Sequence, residues 1–317
     1  MQAIKRLMII ILAAVPVTLA AAGGCGVVID MANDNEWRWG SFGGVDFISP
    51  VKLRVGILPF SDEVGLGAAE TGVNLSRLMS EEFSKDNRLE VVSLDRVQQA
   101  MAARGYYGTL SPQQAAEVGS DLNLNAVILG SLSEMRKYNL RKGWRRLARI
   151  VTSQREYVDA VLAVSAVDTQ TGIVLVSRAN LGEYDAGSGN KDFFEAGDRS
   201  GNAPEQEAIE GSLDEALRES YYRTMQGLAT LPFKARVLAA GGGEVTIGFG
   251  KDVGLSRGQK FVKLEISNVI TNTIGDTYQI MGAPVARLKV INVGDSTATL
   301  ALEEGHLISG DIIQAVK

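Results

Sequence analysis

Cys25 is the one thiol and His306 the one imidazole in 317 residues. A single cysteine forms neither an internal disulfide nor a multi-cysteine metal site. A single histidine gives no His-His zinc pattern and argues against a Ser-His-Asp device. His306 follows Glu303-Glu304-Gly305 near the last strand-like runs, where a lone surface histidine is incidental. Asp62-Glu63 and Glu81-Glu82 are adjacent carboxylates. Neighbours on a helix do not share a face, so Glu81-Glu82 is a poor acid–base pair. Gly65-Leu66-Gly67 lacks the third glycine of a dinucleotide loop, and Gly248, Gly250 and Gly254 have the wrong spacing and precede no helix. No nucleophile comes with a positioned base. The expectation is a chain that is not an enzyme, with no catalytic, cofactor-binding or metal-binding residues.

The surroundings of Cys25 give the thiol another use. Lys5 and Arg6 open the chain with positive charge, Leu7 to Leu19 is almost wholly apolar, and Ala20 to Gly24 are small. This order is that of a secretory signal, and the apolar run is short for a membrane-spanning helix, which needs about 20 residues. Ala22-Gly23-Gly24-Cys25 resembles the lipobox of bacterial lipoproteins, with Ala22 where that pattern usually has Leu. The resemblance implies cleavage before Cys25 and acylation of its sulfur and new amine. Gly26, in place of the Asp associated with inner-membrane retention, implies the outer membrane. Multiple acyl chains anchor stably, at about 0.8 kcal/mol per buried CH₂.

These modifications need a folded body to position. The chain is 45% hydrophobic and 22% charged with net charge −5, values ordinary for a globular protein and without a field that would draw nucleic acid. Residues 1–24 read as the signal peptide and 25–50 as a tether carrying Trp37, Trp39 and Phe42. Residues 51–230 read as a mixed α/β domain. Strands are expected at Leu53–Phe60, Leu89–Ser93, Asn125–Leu132, Tyr157–Val167 and Ile173–Ser177. Helices are expected from about Asn74 with Leu75, Leu78, Met79 and Phe83 on one face, from an Asp95 cap to Gly105, from Ser111-Pro112, and over Glu205–Leu228. Gly65–Gly72 and residues 185–204 read as loops. Beyond Pro232, residues 232–317 hold short β runs at 235–238, 244–249, 260–266, 285–293 and 297–302, separated by glycine turns, the pattern of a small all-β barrel.

The α/β segment resembles the curli-secretion lipoprotein family of CsgG and the N-terminal domain of TolB. VGILPF, LSRLMSEEF, LEVVSLDRVQQAM, AVILGSLSEM and VDAVLAVSAVDTQTGIVLVS occur in the family's order over about residues 50–230. The last segment resembles the C-terminal domain of FlgT, through Val245–Gly250, Gly254-Leu255, Gly258–Phe261 and Ala286–Val290. The resemblance implies a ring-forming subunit of an envelope machine, although the separate N-terminal domain of FlgT has no counterpart here.

CsgG-like channels insert two amphipathic hairpins per subunit. The equivalent stretch between Met135 and Asp159 is crowded by Arg136, Lys137, Arg141, Lys142, Arg145, Arg146 and Arg149 and alternates poorly. An arginine facing mid-bilayer costs roughly 2–4 kcal/mol. The second stretch, Asn180 to Pro204, has only Phe193 and Phe194 as apolar weight. Neither reads as a membrane hairpin, and the basic segment 136–149 reads as a solvated hairpin or a surface for anionic lipid or an acidic partner. The expectation is an outer-membrane lipoprotein facing the periplasm: a homo-oligomeric scaffold with envelope assembly proteins as partners and no nucleic acid. A secretion-channel subunit, and a binding module for peptidoglycan or a wall synthase, are the alternatives.

Overall fold

In the computed structural model, residues 46–65, 69–140, 155–185, 203–271 and 277–316 are described. Cys25, the tether aromatics and most of the basic segment lie outside them. A mixed sheet is built from β1 (Leu53–Ile57), β2 (Ser61–Asp62), β3 (Leu89–Val92), β4 (Ala126–Leu140), β5 (Arg155–Asp168) and β6 (Val174–Asp185). Its order is β3-β1-β4-β5-β6, with β2 continuing beside β4. β1 runs parallel to both β3 and β4, while β4-β5 and β5-β6 are antiparallel. The helices are α1 (Ala69–Ser84), α2 (Leu94–Ala103), α3 (Pro112–Asp121) and α4 (Ala203–Ala229). After α4, β7 (Lys234–Gly241), β8 (Glu244–Ile247), β9 (Lys260–Thr271), β10 (Thr277–Val293), β11 (Ala298–Glu304) and β12 (Ile312–Val316) close an antiparallel barrel in the order β10-β11-β8-β7-β12-β9. The expected combination of a mixed α/β sheet and an all-β barrel is thus present, with two short strands, β2 and β12, that the expectation lacked.

Local chemistry explains the elements and the departures. α1 starts at Ala69, ahead of the expected Asn74, and takes in Gly72. A Cβ on Gly72 would lie 1.8 Å from the Phe60 carbonyl oxygen, so only glycine lets the helix touch that chain. Ser76 secures the contact: its hydroxyl accepts from the Phe60 N–H, with Gly72 and Leu58 carbonyls within hydrogen-bond distance. Leu75, Met79 and Phe83 are buried at the expected spacing, but Leu78 points outward. The cap of α2 is Ser93 rather than Asp95, which stands in the first turn where a carboxylate favours the positive end of the helix. Ser111 caps α3 as expected, and Gln114 completes a reciprocal capping box. β4 and β6 run well past their expected ends, to Leu140 and Asp185. The cause is the ladder, since β5 pairs on both sides and holds each neighbour extended.

The two faces of the sheet are covered unequally. α1 and α4 cover one face, and one apolar core runs from there into the barrel. Phe233 sits inside it with edge-on contacts to Phe249 at 4.8 Å and Phe261 at 6.2 Å. Such pairs add about 0.5–1.5 kcal/mol each beyond their buried area. α2 and α3 cover the other face beside β3, β1, the start of β4 and the end of β5, through Val97, Met101, Val118 and Val127.

Candidate functional site

The junction between the two lobes is a polar lock around the end of the core. Lys234, which opens β7, donates to Asp168 at 2.5 Å, and both side chains are buried. Asn125 links Lys234 to Arg54: its amide donates to the Lys234 carbonyl and its oxygen accepts from the Arg54 N–H. Arg54 pairs with Asp252, donates to the Gly248 carbonyl and lies 4.7 Å over the Phe249 ring. Asn123 donates to that same carbonyl from a left-handed backbone conformation. An arginine that is paired, stacked and bonded to backbone holds two bodies in one orientation. The residues of the lock lie far apart in sequence, so periodicity carried no signal for it.

A cleft of about 250 Å³ opens beside the lock, lined by Phe47, Lys52, Asn87, Arg88, Val253 and Gly254. Arg88 lies 4.6 Å over Phe47 and forks onto Asp86 at 2.6 and 2.9 Å. Burial alone would raise the Asp86 carboxyl, but hydrogen bonds and the charge of Arg88 outweigh it and lower the pKa. Burial, followed by the charge of Asp86, pushes the Tyr221 hydroxyl up to about 12. This cluster ties the start of the fold to α4, as does the Ile48 N–H, which donates to the Ala229 carbonyl.

The second feature is the uncovered half of the sheet. Register places Ser131, Ala163 and Ala179 in one row across β4, β5 and β6, and Ser165 and Ser177 in the next. Ser165 and Ser177 share a hydrogen bond of 2.8 Å. Leu181, paired with Val161, is 54% exposed. Leu129 stands in the Ser165–Ser177 row and Glu134 in the row of Val161 and Leu181, and a charged row, Arg136, Asp159 and Glu183, follows. Among the described residues no helix or loop packs on this half of the sheet. The opposite face of β6 lies tight on α4, where a Cβ on Gly182 would sit 1.9 Å from the Ser212 carbonyl oxygen. The two sheet edges differ as well. β3 has only four residues and abuts the one-turn helix at Lys251–Val253, whereas the outer edge of the twelve-residue β6 is unpaired among the described residues. A sequence signal for this half-sheet existed only in part, in Ser131, in Ala163 and Ser165, and in Ser177 and Ala179, read as strand alternation.

The remaining sequence candidates take structural places. Asp62 bonds the N–H groups of Val64 and Gly65 in a tight turn, and Gly65 has φ +76°. Glu81 and Glu82 lie on the exposed face of α1, paired with Arg77 and Lys85. Gly254 ends the one-turn helix in a left-handed conformation, and Gly250 presses against the backbone at Gly294 and Asp295. His306 is exposed. Arg136 pairs with Glu134, while 141–149 lie outside the described residues. Among the described residues no group of three or more His, Cys, Asp or Glu could hold a metal ion, and no helix is long and apolar enough to cross a membrane.

No family model matches the chain, and no curated protein matches it. The curli-secretion and flagellar resemblances of the sequence therefore gain no family match. Among solved structures, the chain is similar to the hypothetical protein CT253 from Chlamydia trachomatis, at 16% identity over 56% of this chain and 98% of that one, with a TM-score of 0.36. It is similar to lipoprotein GNA1162 from Neisseria meningitidis, at 14% identity over 44% of this chain and 88% of that one, with a TM-score of 0.31. The PelC dodecamer from Paraburkholderia phytofirmans matches at 13% identity over 54% of this chain and 88% of its own, with a TM-score of 0.28. Likeness at this level assigns the chain neither a family nor a function.

Proposed function

We propose that this chain is a non-enzymatic, lipid-anchored scaffold subunit of an envelope assembly machine, held at the periplasmic face of the outer membrane through acylated Cys25 and associating with copies of itself. The observation that carries this reading is the long edge of β6, unpaired among the described residues, on a body whose lobes are locked together. Unpaired strand edges recruit other chains, and a buried lock keeps such an edge in a fixed orientation.

The channel reading has one observation in its favour. β4 and β5 continue as a regular ladder to Leu140 and Arg155, the place from which a membrane hairpin would leave. The arginines and lysines of segment 136–149 oppose it.

One experiment separates the readings. The acylated protein is extracted in mild detergent, weighed by light scattering, imaged, and placed in planar bilayers. Oligomers without conductance support the scaffold, and conducting rings support the channel. Monomers that sediment with peptidoglycan support a wall-binding module and overturn self-association.

A further inference from the structure

The chain enters the fold across the seam between its two lobes. Residues 46–52 lead into β1, and their backbone is tied to separate elements on the way. The Ile48 N–H donates to the Ala229 carbonyl at 3.0 Å. That carbonyl belongs to the last turn of α4, whose final C=O groups have no partner within the helix. The Lys52 N–H donates to the Val253 carbonyl in the one-turn helix of the barrel, also at 3.0 Å. The next N–H, of Leu53, donates to the Arg88 carbonyl ahead of β3. From Ile48 to Leu53 the backbone is thus bonded to the end of α4, to the barrel and to the edge of the mixed sheet.

Side chains hold the two ends of this segment. Phe47 lies under the Arg88 guanidinium, which Asp86 grips as a fork, and Asp86 in turn accepts from the Tyr221 hydroxyl of α4 at 3.4 Å. Val51 is buried in the core that both lobes share. Between them, Ile48 is 47% exposed, and Ser49 and Pro50 line the cleft together with Val253 and Gly254 of the barrel. The middle of the segment therefore faces a gap rather than the core. Lifting it exposes little apolar surface, so it can open while both lobes stay folded. Arg54 adds a tie to the same short helix, since it pairs with Asp252, the neighbour of Val253.

We infer that residues 46–52 are a strap that latches the barrel to the α/β lobe, and that lifting the strap from its Ile48 end loosens the seam. The lobes stay joined through their core, so what changes is the freedom of the turn at 251–255 and not the fold. Where the chain upstream is held at a membrane, the strap brings that hold to the seam; only this use rests on the scaffold reading.

The test is hydrogen exchange of the full chain in mild detergent, read by mass spectrometry over peptides 46–53, 250–256 and 158–166. Ile48→Pro removes the donor to Ala229, and Phe47→Ala removes the ring under Arg88. In the parent, 46–53 is expected to be protected. Each variant is expected to speed exchange of 250–256 by roughly 10-fold, the effect of one lost hydrogen bond or stacked pair. The middle of β5, 158–166, should keep its rate. Phe47→Ala alone decides the matter if Ile48→Pro does not fold. A rise confined to 46–53 would mean that the segment has no hold on the barrel, and an equal rise at 158–166 would mean that the variants weaken the whole fold; either result overturns the strap, as does a parent unprotected over 46–53. None of these readings depends on Cys25, so a bare sulfur would remove the anchor and leave the strap standing.

Discussion

Lys234, at the first position of the barrel, points its ammonium back into the α/β lobe and meets Asp168 there at 2.5 Å, with 9% and 5% of the two side chains exposed. The pair joins the turn after β5 to the strand that follows α4. Asp168 is further held in its turn by the Gln170 N–H. Removing one member leaves the other charged and buried, which costs about 3–5 kcal/mol, while replacing both with apolar or neutral groups is often neutral. Asp168→Asn is therefore expected to lower stability by that amount in urea unfolding. Asp168→Asn combined with Lys234→Met should recover most of it. Equal losses in the single and double variants would show that the pair does not join the lobes.

Gly182 marks the closest approach of α4 to the sheet. Gly227, farther along the helix, meets Val176, and Asn180 donates to Ser220 between them. Gly182→Ala puts a methyl into backbone, which cannot yield as a side chain tip does. A loss of about 1–3 kcal/mol is expected, the usual cost of overpacking. Gly241→Ala, with open space around it, serves as the comparison and should change stability by less than about 0.5 kcal/mol. Similar melting temperatures for the two variants would place α4 farther from β6.

One shared core couples the unfolding of the two lobes. Phe233, Phe249 and Phe261 belong to the same apolar cluster as Phe83 and Leu162, so neither lobe can open without exposing the other. A single unfolding transition is expected, with far-ultraviolet dichroism and near-ultraviolet tyrosine dichroism falling together. Arg54→Ala removes the pairing with Asp252 and the stacking on Phe249, and should split or broaden that transition.

Much of the architecture was legible because it rests on short-range rules. Ser111-Pro112 announced α3 through a cap and a fixed φ, and Leu75, Met79 and Phe83 announced α1 through the 3.6-residue period. Asp168 to Gly172 announced a tight turn, and Gly172 has φ +71°. What escaped was set by partners distant in the chain. β6 extends to Asp185 because β5 pairs with it, and no local pattern in Ser177–Asp185 demanded that. β12 is five residues long and gains its strand state from β7 and β9. β9 was read only as far as Ile266, since its extension to Thr271 depends on pairing with β10 across irregular register. Cys25 was legible as chemistry alone, through the small residues before it.

Acid should weaken the cluster under the start of the fold. Arg88 holds Asp86 below the ordinary carboxylate range, so the folded state favours the ionised form. That stability is complete above the unfolded pKa of about 4 and is lost as pH falls through the lowered folded value. Asp86→Asn should cost about 1–2 kcal/mol at pH 7, and the difference from the parent should vanish near pH 2. Tyr221 gives the alkaline counterpart. Its pKa is raised to about 12, so its contribution is complete below about 10 and is lost as pH rises through 12. Tyr221→Phe should flatten the alkaline limb of the stability curve. Parallel curves for parent and variants at both ends would remove this cluster from the pH response.

The proposed acylation of Cys25 would set where the protein works. Gly23-Gly24 before it and Gly26 after it are the basis for processing and acylation. Cys25→Ala removes the sulfur that would carry the thioether and leaves the body from Asp46 onward untouched. The expected outcome is a shift of the protein from the detergent-extracted membrane fraction to the soluble fraction, with the unfolding transition of the body unchanged. Intact mass of the parent should correspond to a chain beginning at Cys25 with added acyl groups, and labelled palmitate should enter the parent and not the variant. A parent that keeps residues 1–24 and takes up no label would mean that the thiol has another use and that the membrane location is wrong. An assembly that survives Cys25→Ala would show that self-association belongs to the folded body and that the acyl chains only place it.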